Sequence, residues 1–273
     1  MDDFVHLTHF EGKLYRYQPY VGEYVEFVND LILNNRIYYS NPLQFNDPFD
    51  CKMYGIKFSE ERVERFMRER FERGMALVEM IQPRTAPLPK EVKCVFLEES
   101  VKKNSPKTLE GCAQVIQGLH DLVEKEIGVL CLSSDPMNIL MYSHYADRHR
   151  GVCLEFTLQQ DNIFNPEPVR YVRDFPTLDF GLSHDVNKAL AVALIATKSK
   201  DWEYEQEYRS LRGGGAGVIE IPDNYLSGII FGCAASDETV QTVMDVVKQS
   251  GKTLSLSKAV KSDSSFSLSI EEM

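Results

Sequence analysis

The densest run of chemistry-bearing side chains is Trp202-Glu203-Tyr204-Glu205-Gln206-Glu207-Tyr208-Arg209. Read as a strand, alternation puts Glu203, Glu205, Glu207 and Arg209 on one face and the aromatics with Gln206 on the other. Neighbouring carboxylates repel each other. In a cleft, that repulsion drives their pKa values apart and yields an acid and a base. On an open surface the same row is a charged face, partly neutralised by Arg209. Arg16, central in Leu14-Tyr15-Arg16-Tyr17-Gln18, is a second candidate. A strand arginine among aromatics can grip a phosphate or carboxylate through two N–H groups. Otherwise it lays its stem along Tyr17.

Two further stretches are polar and loop-like. In Tyr38-Tyr39-Ser40-Asn41-Pro42-Leu43-Gln44-Phe45-Asn46-Asp47-Pro48-Phe49-Asp50, the Asn, Asp and Pro residues make turns. Phe45 and Phe49 are expected to anchor this loop in the core, holding Asn46, Asp47 and Asp50 as a ligand wall. The stretch from Ser133 to Ala146 includes His144 and Tyr145, and His149 and Glu155 follow. Ser134 or Asp135 can cap its short helix, and a histidine near the helix end also simply satisfies the dipole. Two histidines with Glu155 could bind a metal, but their spacing matches no standard ligand set.

The elements that must position these groups follow from periodicity. Lys13–Tyr17, Arg36–Ser40, Val129–Ser133, Gly151–Leu158, Val169–Val172, Glu205–Leu211, Gly217–Ile221, Leu226–Gly232, Thr253–Ser257 and Phe266–Ile270 read as strands. Helical spacing covers Glu23–Leu33, ended by Asn34-Asn35, then Asn138–Tyr145, Val186–Thr197 and Thr239–Gln249. Glu60–Met80, Glu91–Lys103 and Leu109–Glu126 are charged amphipathic helices, read together as a helical insert over 59–127 within one domain spanning 1–273. Strands at both ends with helices between them predict an α+β fold. Several links are too short for a crossover helix, so its sheet should be mixed or antiparallel.

Composition bounds the function classes. The 273 residues are 43% hydrophobic and carry a net charge of −11, enough for a core and adverse to broad phosphate binding. Six cysteines form no CxxC pair, which argues against a zinc knuckle. The acidic N-terminus shows no signal sequence, and no run approaches the roughly 18 apolar residues of a membrane helix. These features lead to the expectation of a cytoplasmic protein with free thiols and no membrane partner. No GxGxxG follows a strand, so any dinucleotide would not be held in Rossmann fashion.

Taken together, Leu14-Tyr15-Arg16-Tyr17, Phe45-Asn46-Asp47-Pro48-Phe49-Asp50, Ser143-His144-Tyr145-Ala146, His149-x-Gly151-Val152-Cys153-x-Glu155-Phe156 and Trp202-x-x-Glu205-x-Glu207-Tyr208-Arg209 resemble a widespread bacterial domain family of unknown function. The resemblance spans about residues 13–212. More remotely, the layout is similar to the ADP-ribosyltransferase superfamily. Its members use an arginine or histidine on the first core strand, a serine or threonine on the second and a glutamate on a later one. The counterparts here are Arg16, Ser40 and Glu205-Gln206-Glu207.

This resemblance implies NAD as substrate and a macromolecular acceptor, whether RNA, DNA or protein. It implies Glu207 at the nicotinamide ribose, Glu205 at the acceptor and Arg16 on the diphosphate. Ser40 would support the glutamate, Tyr39 or Tyr145 would stack on nicotinamide, and Asn46 and His144 would add contacts. The setting it implies is a toxin or anti-phage effector with an inhibitory partner. Two other classes compete. One is a metal-dependent nuclease or hydrolase using Asp47, Asp50, His144, His149 and Glu155. The other is a non-catalytic binding or sensing domain.

Overall fold

The computed structural model describes residues 10–51, 61, 63–65, 67–69, 72, 94, 97–99, 101–103, 123–160, 162–174 and 195–273. The chain divides into two compact units. The first comprises residues 1–51, 123–171 and 196–273; the second comprises 52–122 and 172–195. In the second unit the described positions from 61 to 103 are helical, and Arg68 pairs with Glu98 at 2.6 Å. Most of the expected helices Glu60–Met80, Glu91–Lys103, Leu109–Glu126 and Val186–Thr197 lie outside the described residues. Residues 123–126 are helical and lead into the first unit's sheet, and Thr197 is a strand residue.

The first unit has an α+β fold built on a mixed eight-stranded sheet. Its strands in chain order are β1 (Gly12–Gln18), β3 (Ile127–Ser133), β4 (Val152–Leu158), β5 (Glu167–Pro168), β8 (Glu207–Gly213), β10 (Leu226–Phe231), β11 (Ser255–Lys261) and β12 (Leu268–Glu272). They are ordered β12-β11-β10-β4-β1-β3-β8-β5 across the sheet. Only β10 with β11 runs parallel, joined by helix α3 (Asp237–Ser250); the other pairs are antiparallel. Two small ribbons complete the unit. One pairs β2 (Arg36–Tyr39) with β9 (Gly217–Glu220), and the other pairs β6 (Arg170–Val172) with β7 (Thr197–Ser199).

Alternation along the central strands fills both faces of this sheet. Leu14, Leu154, Ile229 and Phe231 join a large core with Val28 and Ile32 of helix α1 (Tyr24–Asn34) and Val243 of α3. Tyr17, Cys153 and Ile230 point the other way, onto Tyr142 of helix α2 (Ile139–Tyr145). Each fully buried large side chain contributes about 1.5–3 kcal/mol.

The helix ends obey local chemistry. Asn35 closes α1 in the left-handed conformation at φ 56°, as the Asn-Asn pair predicted. Ser236 caps α3, whose first turn carries Asp237 and Glu238. For α2 the capping side chain is Asn138, which accepts from Leu140 and Met141, rather than Ser134 or Asp135. At the C-terminus the strands lie later than their apolar letters suggested, because β11 runs on to Lys261 and β12 folds back onto it.

The turn after α2 is tightly fixed. Asp147, Arg148 and His149 are all left-handed, and Gly232 lies against their backbone. A Cβ on Gly232 would sit 2.1 Å from the carbonyl oxygen of His149. We expect Gly232→Ala to destabilise the protein by about 2–3 kcal/mol in urea unfolding. A loss well under 1 kcal/mol would mean that this turn yields freely.

Candidate active site

The sheet opens at one place. β1 pairs with β4 along its whole length, but with β3 only where Tyr15 faces Ser133. Beyond that pair β3 is tied to Ser40, through two backbone hydrogen bonds of 2.9 Å with Val129. A cavity of about 400 Å³ occupies the gap between the strands, within the size range of small-ligand sites.

One wall of the cavity is a buried charged cluster. The segment Lys200–Glu205 winds as a 3-10 turn, and Gln206 reverses the chain at φ 45°, so the strand begins only at Glu207. This corrects the reading of residues 203–209 as one strand face. Glu205 ends the turn and Glu207 starts the strand; both are buried and both pair with Lys198. Ser133 and Asn138 hold that turn, donating to the carbonyls of Glu205 and Tyr204 at 2.6 Å each.

Arg209 grips two carboxylates, each through two N–H groups. Its contacts are 2.8 and 2.6 Å to Asp50, and 2.8 and 2.9 Å to Glu207. Lys198, on β7, reaches Glu205 at 2.5 Å, Glu207 at 3.4 Å and Asp50 at 3.6 Å. The Tyr145 hydroxyl donates to the other oxygen of Glu205 at 2.7 Å. Three carboxylates thus face two cations, all five side chains being at most 5% exposed.

Burial and charge set their protonation. Burial alone would raise Glu207, but Arg209 and Lys198 outweigh it and bring its pKa from 4.5 down to about 2. Burial raises Glu205 above the ordinary carboxylate range, against the pull of Lys198, and the charge of Glu207 adds to the rise. Burial would lower Lys198, but Glu207, Glu205 and Asp50 reverse this and hold it firmly protonated. The two glutamates therefore differ: the Glu207 pKa is lowered and the Glu205 pKa is raised.

This arrangement predicts a pH dependence of stability. Glu207 has a depressed folded pKa, so its contribution is present above pH 4.5 and is lost as pH falls toward 2. Glu205, raised in the folded state, acts in the opposite sense and loses its contribution as pH rises through its folded pKa. The urea midpoint should fall between pH 4.5 and 2, and fall less steeply in Glu207→Gln. Equal slopes in parent and variant would assign the acid transition to other groups.

The structure brings most of the sequence candidates to this cavity. Arg16, Ser40, Asn46, His144, Tyr145, Glu205 and Glu207 all line it. Arg16 donates to the Gln18 side chain and to the Tyr38 carbonyl, and among the described residues no carboxylate pairs with it; burial lowers its pKa. Asn46 donates to the Tyr145 hydroxyl at 3.3 Å, and His144 is exposed at the rim.

Tyr39 is not brought there. It is 1% exposed in the core, with its hydroxyl on Ser210 at 2.8 Å, because Tyr38 and Ser40 take the alternate side of the strand. The loop anchor also differs from expectation. Phe49 is 59% exposed and Phe45 lies over the Arg209 guanidinium, while buried Asp47 and Asp50 tie the loop down. The proposed metal ligands go separate ways: Asp50 to Arg209, Glu155 to Lys13 and Ser227, and His149 to Ser143. Among the described residues no three His, Cys, Asp or Glu side chains gather as a metal site.

Lys198 escaped the sequence reading, since it stands in the plainly hydrophilic run Thr197-Lys198-Ser199-Lys200-Asp201. The signal was indirect. If Glu205 and Glu207 are buried together, Arg209 alone cannot balance them, and a second cation is required.

Fold and site define an α+β protein whose mixed sheet opens onto a cavity walled by three carboxylates and two cations. Residues 141–210 match the model of a family described as a protein of unknown function (DUF2971). The matched stretch carries His144, Tyr145, Lys198, Glu205, Glu207 and Arg209, whereas Arg16, Ser40, Asn46 and Asp50 precede it. No curated protein and no solved structure matches the chain. Among the described residues no helix is long and apolar enough to cross a membrane.

Proposed function

We propose that this chain is an ADP-ribosyltransferase that uses NAD as substrate and modifies a macromolecule. The observation that supports this best is that Arg16, Ser40, Glu205 and Glu207 line one cavity. Breaking the bond between nicotinamide and ribose gives nicotinamide the electron pair and leaves oxocarbenium character on the ribose. The Glu207 carboxylate, held ionised, stabilises that charge. The acceptor's nucleophilic atom then bonds to the anomeric carbon, and its proton passes to Glu205. Arg16, which has no carboxylate partner among the described residues, binds the NAD diphosphate. Tyr145 and Lys198 hold Glu205 in place, and Ser40, Asn46 and His144 contact the substrate. The setting of this reading is a cytoplasmic toxin or anti-phage effector, acting on RNA, DNA or protein and restrained by an inhibitory partner.

A second reading, a non-catalytic binding domain, is favoured by one observation: Lys198 and Arg209 already satisfy Asp50, Glu205 and Glu207. Adenine-labelled NAD separates the two. Parent and Glu207→Gln proteins would be incubated with it, and cell protein or RNA added separately. Label transferred by the parent alone supports the transferase and reveals the acceptor class. Absence of both transfer and nicotinamide release at high protein concentration sinks it.

A further inference from the structure

A second cavity, of about 280 Å³, adjoins the first and shares Arg16, Gln18, Tyr24, Ser40, Gln44 and Phe45 with it. Phe27 of α1 and Tyr38 of β2 line the second cavity and not the first. Phe27 and Tyr38 are stacked, with ring centroids 5.3 Å apart and planes 25° apart. Tyr24 meets Phe27 edge-on at 6.3 Å. Phe27 and Tyr24 remain 37% and 40% exposed at the edge of this cavity. Glu23 adds a carboxylate to the wall, which disfavours an anion there.

An exposed aromatic stack suits the planar face of a base, and a glutamine amide can pair with the N6 and N7 edge of adenine. We infer that this second cavity is a purine subsite: an adenine nucleotide lays its base on Phe27 and its phosphate on Arg16 where the two cavities join. The inference rests on the transferase reading for the identity of the whole substrate, and it fixes that substrate's direction. The adenine end enters along α1, and the nicotinamide ribose reaches Glu207. Gln18 and Gln44 select the purine by its edge.

Calorimetric titration of the parent protein with AMP, nicotinamide mononucleotide and inorganic pyrophosphate tests this. AMP should bind, and Phe27→Leu, which keeps apolar bulk but loses the ring, should weaken AMP about tenfold. The same variant should leave nicotinamide mononucleotide and pyrophosphate within about twofold. Tyr24→Leu provides a second aromatic-wall variant with a smaller effect in the same direction, and Arg16→Gln should weaken all three ligands. Thermal melts establish that each variant is folded. Failure of AMP to bind the parent overturns the inference, as does an AMP affinity indifferent to both ring substitutions. NAD cleavage is measured in parallel. Ring-dependent AMP binding without NAD cleavage sinks the transferase and leaves the purine subsite standing; NAD cleavage with ring-independent AMP binding does the reverse.

Discussion

Changing Glu207 to glutamine should slow nicotinamide release from NAD by about 10²–10³-fold while the protein remains folded. The argument is electrostatic. Arg209 and Lys198 hold the pKa of this carboxylate down to about 2, so it stays ionised near neutral pH at the cavity wall. Glutamine keeps the shape and one acceptor oxygen but has no charge to set against an oxocarbenium ion. Its amide nitrogen also turns a donor toward Arg209 or Lys198, a mismatch that costs about 1–3 kcal/mol of stability. Rates must therefore be compared at a temperature where melting curves show both proteins native. A variant that is folded and fully active would remove Glu207 from the chemistry and leave the cluster a structural role.

Arg209→Met should lower the unfolding free energy by about 3–5 kcal/mol, the largest stability effect expected of any single substitution at this site. Methionine matches the length of the stem but not its charge. Asp50 and Glu207 would lose contacts of 2.6 to 2.9 Å and keep Lys198, at 3.6 and 3.4 Å, as their cation. Three buried carboxylates would then share one cation, in an interior that screens charge less than bulk water does. Urea unfolding measures this as a midpoint shift at constant slope. A loss under about 1 kcal/mol would show that protonation of a carboxylate relieves the cluster cheaply. The Asp50 loop should loosen first, because Asp50 bonds directly to Arg209 and Phe45 packs on its guanidinium.

The two predictions are linked. Glu207 can act as a fixed anion only while Arg209 holds it, so Arg209→Met should also reduce activity at pH values where the parent is fully active. That loss would come from a raised Glu207 pKa and would partly recover as pH rises. A purely structural Arg209 would give no such pH-dependent recovery.

Local sequence determined much of this protein. Alternation in Lys13–Tyr17 and Gly151–Leu158 gave the central strands, because a sheet buried on both faces demands apolar residues of both parities. The spacing of Tyr24, Phe27, Val28, Leu31 and Ile32 marked α1, and Asn35 marked its end. The cavity-lining positions Arg16, Glu205 and Glu207 were also legible, since charged groups among aromatics stand out in any register. Tertiary structure alone decided how they meet. No periodicity announces that Gln206 turns left-handed, which lifts Glu205 off the strand that seemed to carry it. Asp50 and Arg209 bond across 159 positions, and such a pair is fixed by strand order rather than by spacing. Lys198 is polar in sequence and buried in the fold, because only there do three carboxylates make its desolvation favourable. The cavity itself is lined from β1, β3, the loop of residues 40–50, α2 and the segment 198–207, an assembly of distant segments that no single residue encodes.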